Sequence, residues 1–313
     1  MAGGSTRVVI GALLGNAALA AAKFVAAAFS GSGAIFAEAV HSVVQAGNHA
    51  MVLVGMQRME APPDPRHPYG HGNEIYFWAF VAAILVYGVG AGVALYEGVH
   101  QLRDQAPLGN VTWSYVVIGA ALVFEVGAWT VAWREFSRAP EKRFSLKALR
   151  QSKNPALSTL ILEDGAAVIG LLVALVGIFC ADRLGWFWAD GLAALAIGAI
   201  MAATAIWLAY ETRGLLIGEA SNPSLVEDII GIAGQASFVE AVNEVRTLHF
   251  GPADVLVNLS VDARDHLSAG EVEGGISRLE GEIRARHPEI GRVFIEIQSA
   301  ADGVPDGLTG GAA

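Results

Sequence analysis

The 313-residue sequence predicts an α-helical membrane protein with six transmembrane helices, followed by a C-terminal cytosolic α+β domain of ferredoxin-like order, α-β-β-α-β. Three observations carry that prediction. The chain is 54% hydrophobic and only 16% charged, whereas soluble domains carry about 25% charged residues. Apolar runs fall near 8–29, 33–57, 75–98, 112–133, 155–180 and 186–210, each close to the roughly 20 residues that cross a bilayer. All of the net charge of −10 lies beyond them, since residues 1–218 hold 14 basic and 14 acidic groups and residues 219–313 hold 6 and 16. The expected division is a transmembrane domain at 1–218, a soluble domain at 219–300 and a flexible tail at 301–313.

The first span, Val8 to Phe29, has an Ala26-Ala27-Ala28 sequence like a cleavage site. It is too long for a signal peptide and is interrupted by Lys23, so it reads as a membrane helix whose lysine snorkels. Ser30-Gly31-Ser32-Gly33 is a tight connection, which makes the first two spans a hairpin. Small residues, Gly11, Gly15, Gly88, Gly90, Gly92, Gly165 and Gly170, suit close helix packing in lipid. Glu38 and Glu97 lie near span ends, where solvent is expected to reach them. The connection between the fourth and fifth spans carries Arg134, Arg138, Lys142, Arg143, Lys147, Arg150 and Lys153 against Glu135 and Glu141. That excess of positive charge places the connection, both termini and the C-terminal domain in the cytosol. The same pattern, without a transit segment, points to a bacterial inner membrane.

Past Ser221 the pattern becomes soluble. Ser221-Asn222-Pro223 starts a helix, Val245 to Phe250 and Val255 to Val261 read as strands about Gly251-Pro252, a helix runs from Ser268 to Arg286, and a strand from Val293 to Ile297 closes the order. The acidity of this part excludes nucleic acid, which needs a basic surface. The lone Cys180 excludes an internal disulfide and a thiolate metal cluster.

Polar groups inside the spans carry the functional signal, because charges at that depth cost roughly 2.5–3.5 kcal/mol each on insertion scales. On the second span His41 and Gln45 are one helical turn apart, about 6 Å along the axis, and Asn48 continues their face. His49 is rotated off that face. On the fifth span Glu163 and Asp164 are adjacent, and Glu125 lies in the middle of the fourth as an auxiliary ligand or proton relay. Imidazole with carboxylate and amide oxygens suits zinc, manganese or ferrous iron. Neutral His41 and Gln45 with ionised Glu163 and Asp164 sum to −2, which matches a divalent ion. Protons and metal would compete for the same carboxylates, which is the basis of a metal/proton exchanger. The alternative is that His41 and Gln45 form an interhelical hydrogen bond and the acids face a polar loop.

Asn16…Lys23, Ser30-Gly31-Ser32, Ala37-Glu38-Ala39, His41-Ser42 and His67-Pro68-Tyr69-Gly70-His71-Gly72 together resemble the cation diffusion facilitators over nearly the whole chain. Leu162-Glu163-Asp164 and Arg246-Thr247-Leu248-His249-Phe250-Gly251-Pro252 are similar to the branch that includes the mitochondrial zinc exporter and its bacterial relatives. The resemblance implies a homodimer, joined through the C-terminal domain, that exports divalent metal by proton antiport with alternating access. It implies a transport site on the second and fifth spans, with His41 and Asp164 at matching positions. Gln45 stands where the family usually has aspartate, and Leu160 stands one turn before Asp164 where many members have His or Asp, so Glu163 is the candidate replacement.

Asp64, His67 and His71 repeat the Asp-x2-His-x3-His spacing of a cytosolic zinc site in some members. The same residues also fit a capped loop, in which Asp64 turns the chain and the histidines bond backbone. Asn243, Leu259, Glu273 and Glu296 occupy the places of a histidine-rich sensor site found in relatives, so that site is expected to be absent, and His249 is expected to be structural. Zinc is the first expectation for the transported ion, with manganese or ferrous iron as alternatives and no bound cofactor. A non-transporting member whose site has decayed at Gln45 is the competing class. A membrane metalloenzyme is disfavoured, because no His-Glu-x-x-His signature is present and Ser158 has no histidine on its helix.

Overall fold

The computed structural model describes residues 2–137, 155–252 and 254–299. The basic residues from Arg138 to Lys153 and the tail expected at 301–313 lie outside the described residues. The chain divides into two compact units, one of residues Met1–Arg58 and Glu74–Arg213, the other of Met59–Asn73 and Gly214–Ala313.

The first unit is helical. It contains α1 (Ala2–Ser30), α2 (Gly33–Met59), α3 (Glu74–Val81), a π-helical turn at Ala82–Tyr87, α4 (Gly88–Asp104), α5 (Thr112–Ser137), α6 (Pro155–Leu184) and α7 (Trp188–Ile217). Five helical stretches are long and apolar enough to cross a membrane: Val9–Ser30, Glu74–Asp104, Thr112–Arg134, Ile161–Leu184 and Trp188–Ile217. α2 has 27 residues, about 40 Å of helix. It falls outside that set because Glu38, His41, Gln45, Asn48 and His49 dilute its apolar character. Those polar residues are buried. Large apolar side chains instead cover the outside, with Val89, Val123, Val176 and Ile206 all more than half exposed. That inside-out distribution suits lipid.

The core of this unit gathers Ile35, Val40 and Val44 of α2 with Tyr87, Ile118, Leu171, Ile178, Ile197 and Met201. Glycine permits the closest crossings. A Cβ on Gly98 would lie 2.7 Å from the Leu195 backbone nitrogen, and one on Gly198 would lie 2.9 Å from that of Leu95, so α4 and α7 touch reciprocally. Gly90 packs against Val44 and Met201, and Gly170 against Glu38. Gly11, Gly88 and Gly92 correct the expectation from sequence, since a Cβ on any of them would meet nothing within 4 Å.

The hairpin between α1 and α2 turns on Gly31, whose φ of +68° lies in the left-handed region open to glycine. The start of α2 is capped from another helix. The buried Asp190 of α7 accepts hydrogen bonds from the Gly33 and Ala34 amides at 2.7 and 3.4 Å and from the Ser32 hydroxyl. Hydrogen bonds to a charged group contribute about 1.5–3 kcal/mol, and here they also tie α7 to the hairpin. Asp190→Ala is therefore expected to destabilise the helical unit by about 2–3 kcal/mol, read as a lowered thermal midpoint in detergent.

The second unit holds α8 (Pro223–Gln235), β1 (Val239–Gly251), β2 (Asp254–Ala263), α9 (Ala269–Arg286) and β3 (Ile290–Ile297). The order α-β-β-α-β is the one expected from the sequence. The sheet runs β1-β2-β3, antiparallel between β1 and β2 and parallel between β2 and β3. Val255, Val257, Leu259 and Val261 alternate inward along β2 and meet Ile229 and Ile232 of α8 and Leu279 and Ile283 of α9. A capping box starts α9, with Ser268 and Glu271 satisfying each other's backbone amides. His249 bonds Ser221 Oγ through Nε2 at 3.1 Å, in keeping with a structural role.

The segment 59–73, which joins α2 to α3, belongs to this second unit. Tyr69 stacks on Phe250 of β1 with ring centroids 4.9 Å apart. Arg292 of β3 lies over both rings, donates to the Tyr69 carbonyl at 3.1 Å and pairs with Asp254 at 2.8 Å. Gly72 sits against the Phe250 carbonyl, where a Cβ would collide with the backbone.

Candidate metal centres

The eight-residue stretch from His41 to Asn48 on α2 turns the side chains at i, i+4 and i+7 to one face. His41, Gln45 and Asn48 are 1%, 1% and 5% exposed. Glu163 and Asp164 on α6 are equally buried. One hydrogen bond joins the two helices here, from Asn48 Nδ2 to Glu163 Oε1 at 2.6 Å. Asn48 thus orients one carboxylate of the acidic pair. Tyr87, at the end of the π turn, is fully buried and faces Glu163, although its hydroxyl makes no hydrogen bond of standard geometry. π turns recur at functional sites because they re-aim side chains within a helix.

The remaining donors of the set are unpartnered. Neither His41 nitrogen has a hydrogen-bond partner, and neither do Gln45 Oε1, Asp164 Oδ2 and Glu125 Oε1. Each buried polar atom left this way costs about 1–3 kcal/mol, so a concentration of them among three helices is a place where a ligand would be stabilised. The interhelical hydrogen bonding considered from the sequence does not form at either His41 nitrogen or at Gln45 Oε1. Glu125 is 1% exposed and lies close enough to His41 and to Asp164 for electrostatic interaction. His41, Glu163 and Asp164 do not draw their ligand atoms into one tight cluster: among the described residues, only Asp64, His67 and His71 do so, within 4.8 Å.

Two sequence expectations are overturned here. Lys23 does not snorkel. It is 1% exposed, and its Nζ pairs with Glu38 Oε2 at 2.9 Å and donates to Ser42 Oγ at 2.8 Å. Glu38, expected near solvent, is fully buried and stands 4.0 Å from His41 Nδ1 through its other oxygen. A buried ammonium is tolerable only beside an opposite charge, and each of these residues supplies the other's. The signal that could have found the pair is the i, i+3 spacing of Glu38 and His41, which places the acid on the ligand face.

In the loop, Asp64 Oδ1 accepts hydrogen bonds from the Arg66 and His67 amides, both at 2.7 Å. His67 Nδ1 lies 3.2 Å from Asp64 Oδ1 and His71 Nε2 lies 3.2 Å from Asp64 Oδ2. The two imidazoles are 4.4 Å apart. The loop therefore has the features of both sequence alternatives: Asp64 caps a turn, and the histidines converge on it. The His67 amide foremost, then the His67 side chain, the Arg66 amide and His71, hold the Asp64 carboxyl at about 2, below its ordinary 3.8. Asp64 thus contributes to the turn fully above 3.8, and that contribution is lost as pH falls towards about 2.

The first unit thus combines multi-pass helices with buried imidazole, amide and carboxylate groups that lack partners. Residues 9–217 match the cation efflux transmembrane domain, and the chain belongs to the cation efflux family, the cation diffusion facilitators, which are transporters and not enzymes. It is 25% identical to the proton-coupled zinc antiporter SLC30A9 of mouse mitochondria, covering 94% of this chain and 59% of that protein. The frog protein of the same name is 27% identical over 94% of this chain and 60% of its own length. The manganese efflux system protein MneP of Bacillus subtilis is 26% identical, covering 94% of this chain and 95% of that one. The chain thus spans about three-fifths of the animal relatives' length.

Proposed function

We propose that this protein exports a divalent metal, zinc in the first instance, from the cytosol in exchange for protons. The carrying observation is the set of buried, unpartnered donors on two facing helices: His41 nitrogens, Gln45 Oε1 and Asp164 Oδ2, with Glu163 beside them. In this reading α2 is a sixth span, its polar residues turned inward where a water-filled path can reach them. Glu163 and Asp164 carry protons when the metal is elsewhere and release them to receive it. Alternating access exposes the pair first to one side and then to the other, and Glu125, near both His41 and Asp164, relays protons. The C-terminal unit takes a ferredoxin-like arrangement, lies in the cytosol with both termini and joins two copies. Zinc is supported by the imidazole and by the likeness to the zinc antiporters.

Manganese is the second reading, supported by Gln45. An amide oxygen with two carboxylates makes an oxygen-rich set, which manganese favours, and the bacterial relative over nearly the full length is named for manganese. The test is metal flux in proteoliposomes under an imposed pH gradient, with zinc, manganese and ferrous iron compared and proton movement followed in the same vesicles. Metal movement coupled to opposite proton flow supports the exchanger, and the fastest ion names the cargo. No flux for any metal, from folded protein, supports a decayed site at Gln45.

We also propose that Asp64, His67 and His71 hold a second metal ion. Metal binding requires unprotonated imidazole, while Asp64 stays ionised down to about 2. Replacing His67 and His71 together by alanine is expected to remove zinc binding at the loop, since it takes away two of the three converging ligands. Zinc titration of the full chain carrying Asp164→Asn checks this. Zinc affinity that is unchanged by His67→Ala with His71→Ala rules the loop site out.

A further inference from the structure

We propose that Glu38, held by Lys23, is a positioning residue for His41 that presents the imidazole to the cargo through Nε2. The proposal rests on His41 being a transport ligand. Glu38 uses its two oxygens differently. Oε2 is fixed by the Lys23 ammonium at 2.9 Å, while Oε1 has no hydrogen bond and faces His41 Nδ1 at 4.0 Å. The ammonium's partners among the described residues lie on α2: Glu38 Oε2, Ser42 Oγ at 2.8 Å and the Glu38 carbonyl at 3.5 Å. Lys23 is thereby locked against one short stretch of the ligand helix.

Space for this arrangement is made by a third helix. Gly170 of α6 faces the carboxylate, so that a Cβ there would strike Glu38 Oε1 and would lie 3.9 Å from His41 Nδ1. The glycine leaves room for the acid and the imidazole to stand side by side. A carboxylate that accepts from one nitrogen of a metal-binding histidine fixes the tautomer and the ring, leaving the other nitrogen for the metal. From 4.0 Å, a small shift of the Glu38 or His41 side chain makes that bond. Lys23 does a second thing. It neutralises Glu38, so the acid is not a spare ligand, and the charge offered to the cargo remains that of Glu163 and Asp164. The competing explanation is a structural weld between α1 and α2 with no bearing on His41.

The two differ in metal specificity. Imidazole matters more to zinc than to manganese, which prefers oxygen. The experiment is calorimetric titration of the full chain in detergent with zinc and with manganese. Asp64, His67 and His71 are all replaced by alanine in the parent, so that the loop does not contribute. Lys23→Met with Glu38→Leu removes both charges together and strands neither. Zinc affinity is expected to fall about 10–100-fold, the usual effect of losing such a partner, and manganese affinity to change by less than about threefold. With His41→Ala already present, the same double substitution should leave zinc affinity within about twofold, as expected when the effect passes through His41. Gly170→Ala, which alters no charge, should also weaken zinc by crowding Glu38 and His41.

Equal losses for both metals, an undiminished loss in the His41→Ala chain, or no loss at all overturns the proposal. If His41→Ala alone leaves zinc affinity unchanged in the parent, the assignment of His41 as a ligand fails first, and the positioning role falls with it.

Discussion

Asp164→Asn is expected to reduce metal flux at least about 100-fold, beyond the 10–100-fold typical of losing a group one step removed from the metal. The side chain is 6% exposed and Oδ2 has no partner, so the substitution breaks no observed bond of that oxygen. Asparagine has nearly the same volume. What it removes is one negative charge and one proton carrier. A divalent ion would then meet a site of charge −1 rather than −2 and be left partly uncompensated in a medium of low dielectric, where uncompensated charge is expensive. Thermal stability should be nearly unchanged, because the metal-free carboxyl carries a proton and the amide replaces a neutral group of similar size. Proteoliposome flux and a thermal midpoint measured on one preparation separate the two effects. Wild-type flux in this variant takes Asp164 out of the transport site.

Gln45→Asp tests the position at which this chain departs from its family. The amide is buried and its oxygen unpartnered. A carboxylate there raises the site from −2 to −3 within a few ångströms of the ion, an interaction of several kcal/mol even at an effective dielectric near 20. In a working exchanger the cargo should bind at least about tenfold more tightly and leave correspondingly more slowly. Apparent KM and turnover should fall together. In a decayed site the same change would create flux where the wild type has none. The two outcomes are opposite in sign, so one assay decides between them.

Most of the architecture could be read from the sequence because single-residue energetics dominate it. Long apolar runs announce six spans, of which five are long and apolar enough in the structure, and the alternation of Val255, Val257, Leu259 and Val261 announces β2. The spacing of Asp64, His67 and His71 allowed either convergence or a capped turn, and the structure shows both features. Lys23 and Glu38 could not be placed in this way. A lone charge in a span looks costly, and only the partner fifteen residues away makes its burial tolerable. Asp190 is similar: its role as a cap depends on bringing the start of α7 to the start of α2. The extent of the helices was also underestimated, α7 running to Ile217 past the expected end at 210, because a helix need not stop where its apolar run does. The π turn before Gly88 leaves no pattern in the residues that form it.

The packing of the segment 59–73 against β1 and β3 has a consequence for how this chain can vary. A loop between two membrane helices is ordinarily free to drift in sequence. Here Tyr69, Gly72, Phe250 and Arg292 form one contact set, so a residue gained at Gly72, or a one-residue slip of β1, would be felt at His67 and His71. Two stretches of chain about 180 residues apart are therefore bound to change in concert. A chimera that exchanges the C-terminal unit for that of a relative would have to carry the 59–73 segment with it.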